Sequence, residues 1–172
     1  TRLQNAMVTA KIQLKPHQKE ALSKIKNGNV LVGGVGSGKT YTSIFWYVEN
    51  YLPLNMDLIV ITTAANRDMI KPGQTKPDWH QSIEDCGIKD YKVDSWNNLH
   101  KYAGTKNTCF IFDEQRVVGY GKWARAFINL AWEPTNRWIL LSATPGDNWM
   151  DYIPVFIANK LYLNKTEFVR KH

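Results

Sequence analysis

A glycine-rich segment that follows a short apolar run constrains this chain more than any other feature. Residues Val30 to Val32 lead into GGVGSGKT at residues 33–40, which matches the spacing G-x-x-x-x-G-K-[ST] of a phosphate-binding loop. Glycines permit positive φ and close backbone approach, so successive N–H groups can point at phosphate oxygens. A helix that begins near Lys39 adds the positive end of its dipole. The segment therefore predicts a strand, a phosphate-binding turn and a helix, rather than a turn that binds nothing.

The residues of this segment have separate expected roles if the ligand is ATP. The backbone that would bind the phosphates belongs to Gly33, Gly34, Val35, Gly36, Ser37 and Gly38. Lys39 would reach the β- and γ-phosphates, and the Thr40 hydroxyl would bind Mg²⁺. Because ATP carries several negative charges, we expect a divalent cation to be bound with it.

A pair of acids follows a second apolar run, at residues 107–112. Asp113 comes directly after this run and Glu114 is next to it. Carboxylate oxygens are typical Mg²⁺ ligands, so Asp113 is expected to complete the coordination that Thr40 begins. Glu114 could orient or deprotonate the attacking water. Alone, the pair could equally be the acidic first turn of a helix, but the upstream phosphate-binding loop favours a metal site.

Strand-like and helix-like segments alternate along the chain. Apolar runs predict strands at 30–32, 57–63, 91–93, 107–112 and 137–142, and helical patterns occur at 15–26, 39–51, 64–70, 78–86, 95–102, 123–132 and 147–161, the last interrupted by Pro154. Strands that are apolar on both faces are typical of parallel sheets covered by helices. We predict an α/β fold, a three-layer doubly wound parallel sheet, in one domain over residues 1–172. Ligands of such sheets bind beyond the carboxyl ends of the strands, where the loop, Asp113 and Ser142 all fall.

Net charge and composition limit the classes of partner that this chain is expected to bind. The chain has 22 basic and 15 acidic residues, a net charge of +7. ATP alone does not require this excess, so it favours a polyanion, with a solvated basic surface as the alternative. Cys86 and Cys109 are too few for a disulfide framework, and a reducing cytoplasm fits them. No apolar run approaches the ~20 residues that span a bilayer, so no membrane partner is expected.

The order and spacing of six short motifs resemble the first RecA-like lobe of superfamily-two helicases and translocases. The Swi–Snf-like and phage DEAD/H-box group is the most similar. The motifs are Leu14 to Gln18, Gly33 to Thr40, Thr62 to Arg67, Ser95-Trp96, Asp113 to Arg116 and Ser142 to Pro145. They cover about residues 12 to 150. Many families share the phosphate-binding loop, but the ordered combination is much more specific and implies a RecA-like P-loop nucleoside triphosphatase lobe.

The resemblance adds roles at the nucleotide. Gln18 would recognise adenine, because a side-chain amide offers the donor and acceptor that the N6/N7 edge requires; the alternative is a surface helix residue. Ser142 and Thr144 would couple hydrolysis to movement, although without the resemblance a capping turn is favoured. Arg116 belongs to the same coupling group. The family usually has His or Asp at this position, which puts the usual coupling contact in doubt.

The resemblance also implies a nucleic-acid track. Thr63, Asn66 and Arg67 would contact the phosphate backbone of a strand, since short polar side chains and arginine suit such contacts. Ser95 and Trp96 would lie further along the same track. For Trp96 a place in the core is favoured over base stacking.

The resemblance further implies a partner that these 172 residues have no room for. Family members have a second RecA-like lobe that closes over ATP and supplies arginine fingers, which are worth ~10³–10⁵ in rate. We expect this chain to be a piece of a longer protein, or the second lobe to come from another chain. The lobe alone is expected to bind ATP weakly and to hydrolyse it slowly or not at all.

These sequence features leave three candidate functions. The leading hypothesis is ATP-dependent translocation or unwinding on nucleic acid, with DNA favoured over RNA and contacts that ignore base sequence. A phage packaging ATPase also joins a phosphate-binding loop to an acid pair, but the early Pro16 to Gln18 helix and Ser142 to Pro145 argue against it. A binding module with a vestigial nucleotide site is the third, and intact Lys39 and Asp113 argue against that.

Overall fold

Strands and helices alternate along the chain, as the apolar patterns predict. The computed structural model describes residues 12–33, 38–113, 121–142 and 152–160. Within those ranges the elements are α1 (Pro16–Lys24), β1 (Val30–Val32), α2 (Lys39–Asn50), β2 (Asp57–Thr62), α3 (Ala64–Asp68), α4 (Asp78–Asp85), β3 (Lys92–Ser95), β4 (Thr108–Asp113), α5 (Lys122–Trp132), β5 (Arg137–Ser142) and α6 (Ile153–Ala158), with 3-10 turns at Leu52–Leu54 and Trp96–Tyr102. No helix of the described ranges is both long and apolar enough to cross a bilayer.

The five strands form one parallel sheet in the order β1-β5-β4-β2-β3. Two of the four neighbouring pairs, β1 with β5 and β4 with β2, are not consecutive in sequence, and because every pair is parallel the chain crosses over between strands. The predicted doubly wound parallel sheet is confirmed. In this order the strand that leads into the phosphate-binding loop is two places from the strand that ends in Asp113, and β5 lies between them.

The two faces of the sheet carry separate apolar clusters because successive strand side chains point to opposite sides. On one face, Ile59 and Phe110 pack in a cluster with α5, α6 and the 3-10 turn at Trp96–Tyr102. On the other face, Val60 and Ile111 pack in a cluster with α2 and α4. Helices therefore cover both faces, which confirms three layers and explains why the strand sequences are apolar throughout.

The structure corrects three details of the predicted secondary structure. The segment predicted as a helix over 95–102 forms a 3-10 turn at Trp96–Tyr102. Ser95 is the last residue of β3, and its side chain does not cap that turn. Pairing of Ile61 with Asp94 and of Thr62 with Ser95 extends β3 beyond its apolar residues. Pro154 does not interrupt a helix, because α6 begins at Ile153 and proline suits a first turn. The predicted N-terminal part of that helix, 147–151, lies outside the described residues.

A buried asparagine joins three elements at the amino end of the sheet. The side-chain nitrogen of Asn136 donates to the Thr105 carbonyl at 2.8 Å and to the Leu130 carbonyl at 3.1 Å. Its oxygen accepts from the Thr108 N–H at 3.1 Å, where β4 begins. This side chain thus satisfies backbone groups that the regular ladders leave unpaired.

Asn136→Ala should destabilise the fold by about 2–3 kcal/mol, because it leaves a buried N–H and two carbonyls without that partner. Urea unfolding followed by circular dichroism measures this. Asn97→Ala, at an exposed position of the 3-10 turn, is the control and should change the free energy of unfolding by no more than about 0.5 kcal/mol. Equal effects of the two variants would contradict the role given to Asn136.

Candidate functional site

The carboxyl ends of β1, β4 and β5 meet at one edge of the sheet. The strand register pairs Val32 with Ser142 and Asp113 with Leu141. The Gly33 N–H donates to the Ser142 carbonyl at 3.1 Å. The predicted convergence is confirmed for the start of the phosphate-binding loop, for Asp113 and for Ser142. The remaining predicted site residues of this edge lie outside the described part of the chain: residues 34–37, Glu114, Arg116 and Thr144.

Lys39 bridges the two ends of the phosphate-binding loop. Its ammonium donates to the Gly33 carbonyl, at the opposite end of the loop from the lysine itself. Gly38 precedes the first turn of α2 with φ of 82°, a left-handed conformation that favours glycine. Thr40 lies in that first turn, where the helix dipole is positive. The loop therefore offers an ammonium, a hydroxyl and a helix terminus to an anion.

Gln18 contacts the phosphate-binding loop and is not a surface helix residue. It is 7% exposed. Its nitrogen donates to the Gly38 carbonyl at 3.2 Å, and its oxygen accepts from the Lys15 N–H at 2.8 Å. A Cβ atom on Gly38 would lie 2.0 Å from this nitrogen, so the close approach requires glycine as much as the backbone angle does. Adenine recognition by Gln18 stays a prediction.

Three side chains of the described residues donate hydrogen bonds to Asp113. Thr62 Oγ1 and Trp79 Nε1 each donate to its Oδ2 at 2.9 Å. Trp96 Nε1 donates to its main-chain carbonyl at 3.0 Å. The last residue of β4 is therefore fixed in both its backbone and its carboxylate.

Trp79 is a site residue that no sequence pattern indicates, and Thr62 has a different partner from the one its motif predicts. Thr62 begins the segment assigned to nucleic acid, yet its side chain is 0% exposed and bonds Asp113 instead. Trp79 lies in the first turn of α4. A buried indole N–H needs an acceptor, but nothing in the sequence indicates which acceptor it finds.

The donor set fits magnesium bound jointly with phosphates. Mg²⁺ takes oxygen ligands and is usually held by one or two carboxylates together with substrate phosphates. Thr40 and Asp113 offer a hydroxyl and a carboxylate at the same edge of the sheet. Within the described ranges, no group of three or more His, Cys, Asp or Glu side chains is arranged to hold a metal ion.

Solved structures similar to this chain include the following three. The Sulfolobus solfataricus SWI2/SNF2 ATPase core in complex with dsDNA gives a TM-score of 0.73 at 18% identity, over 95% of this chain and 39% of that one. The Pyrococcus furiosus Hef helicase domain gives a TM-score of 0.54 at 19% identity, over 85% of this chain and 36% of that one. The Thermus phage P74-26 large terminase ATPase domain gives a TM-score of 0.52 at 16% identity, over 84% of this chain and 70% of that one.

The fold is that of a RecA-like ATPase lobe. The five-stranded parallel sheet and these three neighbours agree on this point. Neither a protein-family model nor a curated protein matches the sequence. The lobe spans little more than a third of the SWI2/SNF2 core and of the Hef domain.

The residues predicted to contact nucleic acid differ in their surroundings. Thr63 caps α3 by accepting the Asn66 N–H at 3.1 Å, and both residues are half-buried. Ser95 and Trp96 are 2% and 1% exposed. The Trp96 ring stacks against Phe112 and against Trp123 in the core. Trp96 is thus the core residue that the sequence favoured, and contact of Ser95 or Trp96 with nucleic acid stays a prediction.

The fifth of these residues, Arg67, is part of a network around Asp94. Arg67 pairs with Asp68 at 2.8 Å and with Asp94 at 2.9 Å. Asp94 also accepts hydrogen bonds from Asn98, from Tyr102 and from the Ser95 N–H. Burial raises the pKa of Asp94, but the bonds from Tyr102, Asn98, Ser95 and Arg67 outweigh it and lower this pKa to about 2. The network joins α3, β3 and the 3-10 turn.

We expect Asp94 to make the stability of the lobe depend on acid pH. The pKa of Asp94 falls from the ordinary aspartate value of 3.8 to about 2 in the fold. The stabilisation of the fold by ionised Asp94 is therefore complete above about pH 4 and is lost as the pH falls toward 2. Asp94→Asn should lower the free energy of unfolding by roughly 2 kcal/mol at pH 7 and flatten its pH dependence between these limits.

Urea unfolding at a series of pH values between about 2 and 7 measures this. Glu49→Gln is the control, because Glu49 is exposed near the end of α2 and exposed charges contribute little. An Asp94→Asn variant that keeps the acid dependence of the parent would contradict the account.

Proposed function

We propose that this lobe binds Mg²⁺ and ATP at the carboxyl edge of the sheet and hydrolyses the nucleotide to drive movement on nucleic acid. It would then be the ATP-binding lobe of a DNA helicase or translocase. The observation that carries the proposal is the strand register, which brings the start of the phosphate-binding loop, Ser142 and Asp113 to one edge. The similarity to ATPase cores supports it.

Each residue of the edge has a proposed role. The backbone of residues 33–38 and the Lys39 ammonium bind the phosphates, and Lys39 exchanges the Gly33 carbonyl for phosphate oxygens. Thr40 and Asp113 hold the metal, which neutralises phosphate charge when bound. Glu114 orients or deprotonates the attacking water.

Coupling would begin at Ser142. Its carbonyl accepts the Gly33 N–H, so a shift of the phosphate-binding loop on hydrolysis acts directly on the end of β5. Thr144 and Arg116 are proposed to carry that shift toward the nucleic-acid surface. Thr63, Asn66 and Arg67 are proposed to contact the strand there.

The proposed polymer is DNA in preference to RNA. The SWI2/SNF2 core was solved in complex with dsDNA, and Hef is a helicase domain. The net charge of +7 suits a polyanion. A second RecA-like lobe, in the same chain or another, is proposed to supply the arginine finger. Without it we expect slow hydrolysis, since such a group is worth ~10³–10⁵ in rate.

The phage terminase domain supports one alternative. The lobe covers 70% of that domain, although at a lower TM-score than for the SWI2/SNF2 core. A packaging ATPase would use the same phosphate-binding loop and acid pair. The seating of Gln18 on the loop favours the helicase type, whose early motif contains this glutamine.

Lys39→Ala should weaken ATP binding by roughly tenfold or more, because it removes a charged hydrogen-bond donor to the phosphates. Nucleic-acid binding without nucleotide should be unchanged. Isothermal titration with ATP and fluorescence anisotropy with labelled DNA measure the two. Lys24→Ala is the control, since Lys24 is exposed and pairs with Glu20 one turn earlier in α1. If Lys39→Ala changes neither measurement, the lobe is a binding module with a vestigial site.

The affinity of the lobe for DNA should fall steeply between about 50 and 200 mM salt and should not depend on base sequence. Backbone contacts release counterions and do not read base edges. Arg67→Ala should lower the slope of log affinity against log salt by about one, whereas Lys24→Ala should leave it unchanged. An affinity that stays flat over this range would contradict a backbone-tracking surface.

A further inference from the structure

The carboxylate of Asp113 is bound by two elements other than its own strand. Thr62 stands at the end of β2, and Trp79 stands in the first turn of α4. Both donate to the same oxygen, Oδ2, at 2.9 Å. The segment between them, residues 63–77, contains α3 and the exposed loop that leads into α4. Two ends of one segment therefore converge on one carboxylate oxygen.

Trp79 is a rigid donor. It is 4% exposed and packs with Ile83 and Cys86 in the apolar cluster on the α4 face of the sheet. The residues on either side of Trp79 in the helix also contact other parts of the chain. Asp78 forms an ion pair with Lys71 at 2.6 Å, and the His80 ring shares a hydrogen bond of 2.8 Å with the Tyr91 hydroxyl. Burial of the indole ring, together with these contacts of the flanking residues, holds the N–H in place.

Two donors on one oxygen fix the plane of the carboxylate. The terminal torsion of an aspartate is broad, so packing alone does not set it. With Oδ2 held by Thr62 and Trp79, the orientation of the group at the sheet edge is set before any ligand arrives. Removal of a partner that orients a metal ligand in this way commonly lowers metal affinity by roughly 10–100-fold.

We propose that Trp79 is a positioning residue for the metal-binding carboxylate of Asp113, with Thr62 as the second donor. This assignment rests on the proposed function, in which Asp113 holds magnesium beside ATP. The specific part of Trp79 is its N–H, because a phenylalanine would keep most of the apolar packing and lose only the hydrogen bond.

The test measures ATP binding by isothermal titration, once with magnesium and once with EDTA. Trp79→Phe should raise the Kd for ATP with magnesium about tenfold and leave the Kd in EDTA within about twofold. A merely structural role would weaken both equally. Thr62→Val, which is nearly isosteric, should act in the same direction and serves if Trp79→Phe folds poorly by circular dichroism.

Trp132→Phe is the matched control. It also removes a single indole hydrogen bond, which Trp132 Nε1 makes to the Ile157 carbonyl at 2.8 Å between α5 and α6. It should change neither Kd. The assignment is overturned if folded Trp79→Phe and Thr62→Val match the parent in magnesium, or if they weaken binding equally in EDTA. A parent protein whose ATP binding gains nothing from magnesium overturns the proposed function itself, and this assignment with it.

Discussion

The parallel pairing of β1 with β5 is the interaction on which the site depends. β1 has three residues, and its register on β5 sets where the phosphate-binding loop begins. The ladder ends with the Gly33 N–H on the Ser142 carbonyl. Because β5 pairs in turn with β4, the same register places Asp113 at that edge. Main-chain hydrogen bonds alone thus bring together a loop and an acid that are far apart in sequence.

Side-chain hydrogen bonds then refine what the backbone positions. Gln18 fixes the end of the loop through the Gly38 carbonyl, and Lys39 closes it through the Gly33 carbonyl. Thr62 and Trp79 orient the Asp113 carboxylate. Each donor comes from a different element, and the three helices among them, α1, α2 and α4, pack on the same face of the sheet, so this packing preorganises the site. A site held this way suits a ligand that binds through many weak polar contacts.

The sequence predicted those parts of the fold that local pattern controls. Continuous apolar runs such as Leu58 to Ile61 indicated buried parallel strands, and the glycine spacing indicated the loop. Contacts between distant residues were not predictable in this way. No local pattern connects Trp79 with Asp113, or Arg67 with Asp94, because each pair meets only once the strands are in register. For the same reason Thr62 resembled part of a nucleic-acid motif although it faces the acid.

A crystal structure of the lobe with magnesium and a nonhydrolysable ATP analogue would show directly whether nucleotide binds at this edge of the sheet. We expect triphosphate along the backbone of residues 33–38, with the metal held by the Thr40 hydroxyl and the Asp113 carboxylate. We expect also that Oδ2 of Asp113 keeps its bonds to Thr62 and Trp79. Nucleotide bound elsewhere, or a metal that Asp113 does not approach directly or through one water, would contradict the account.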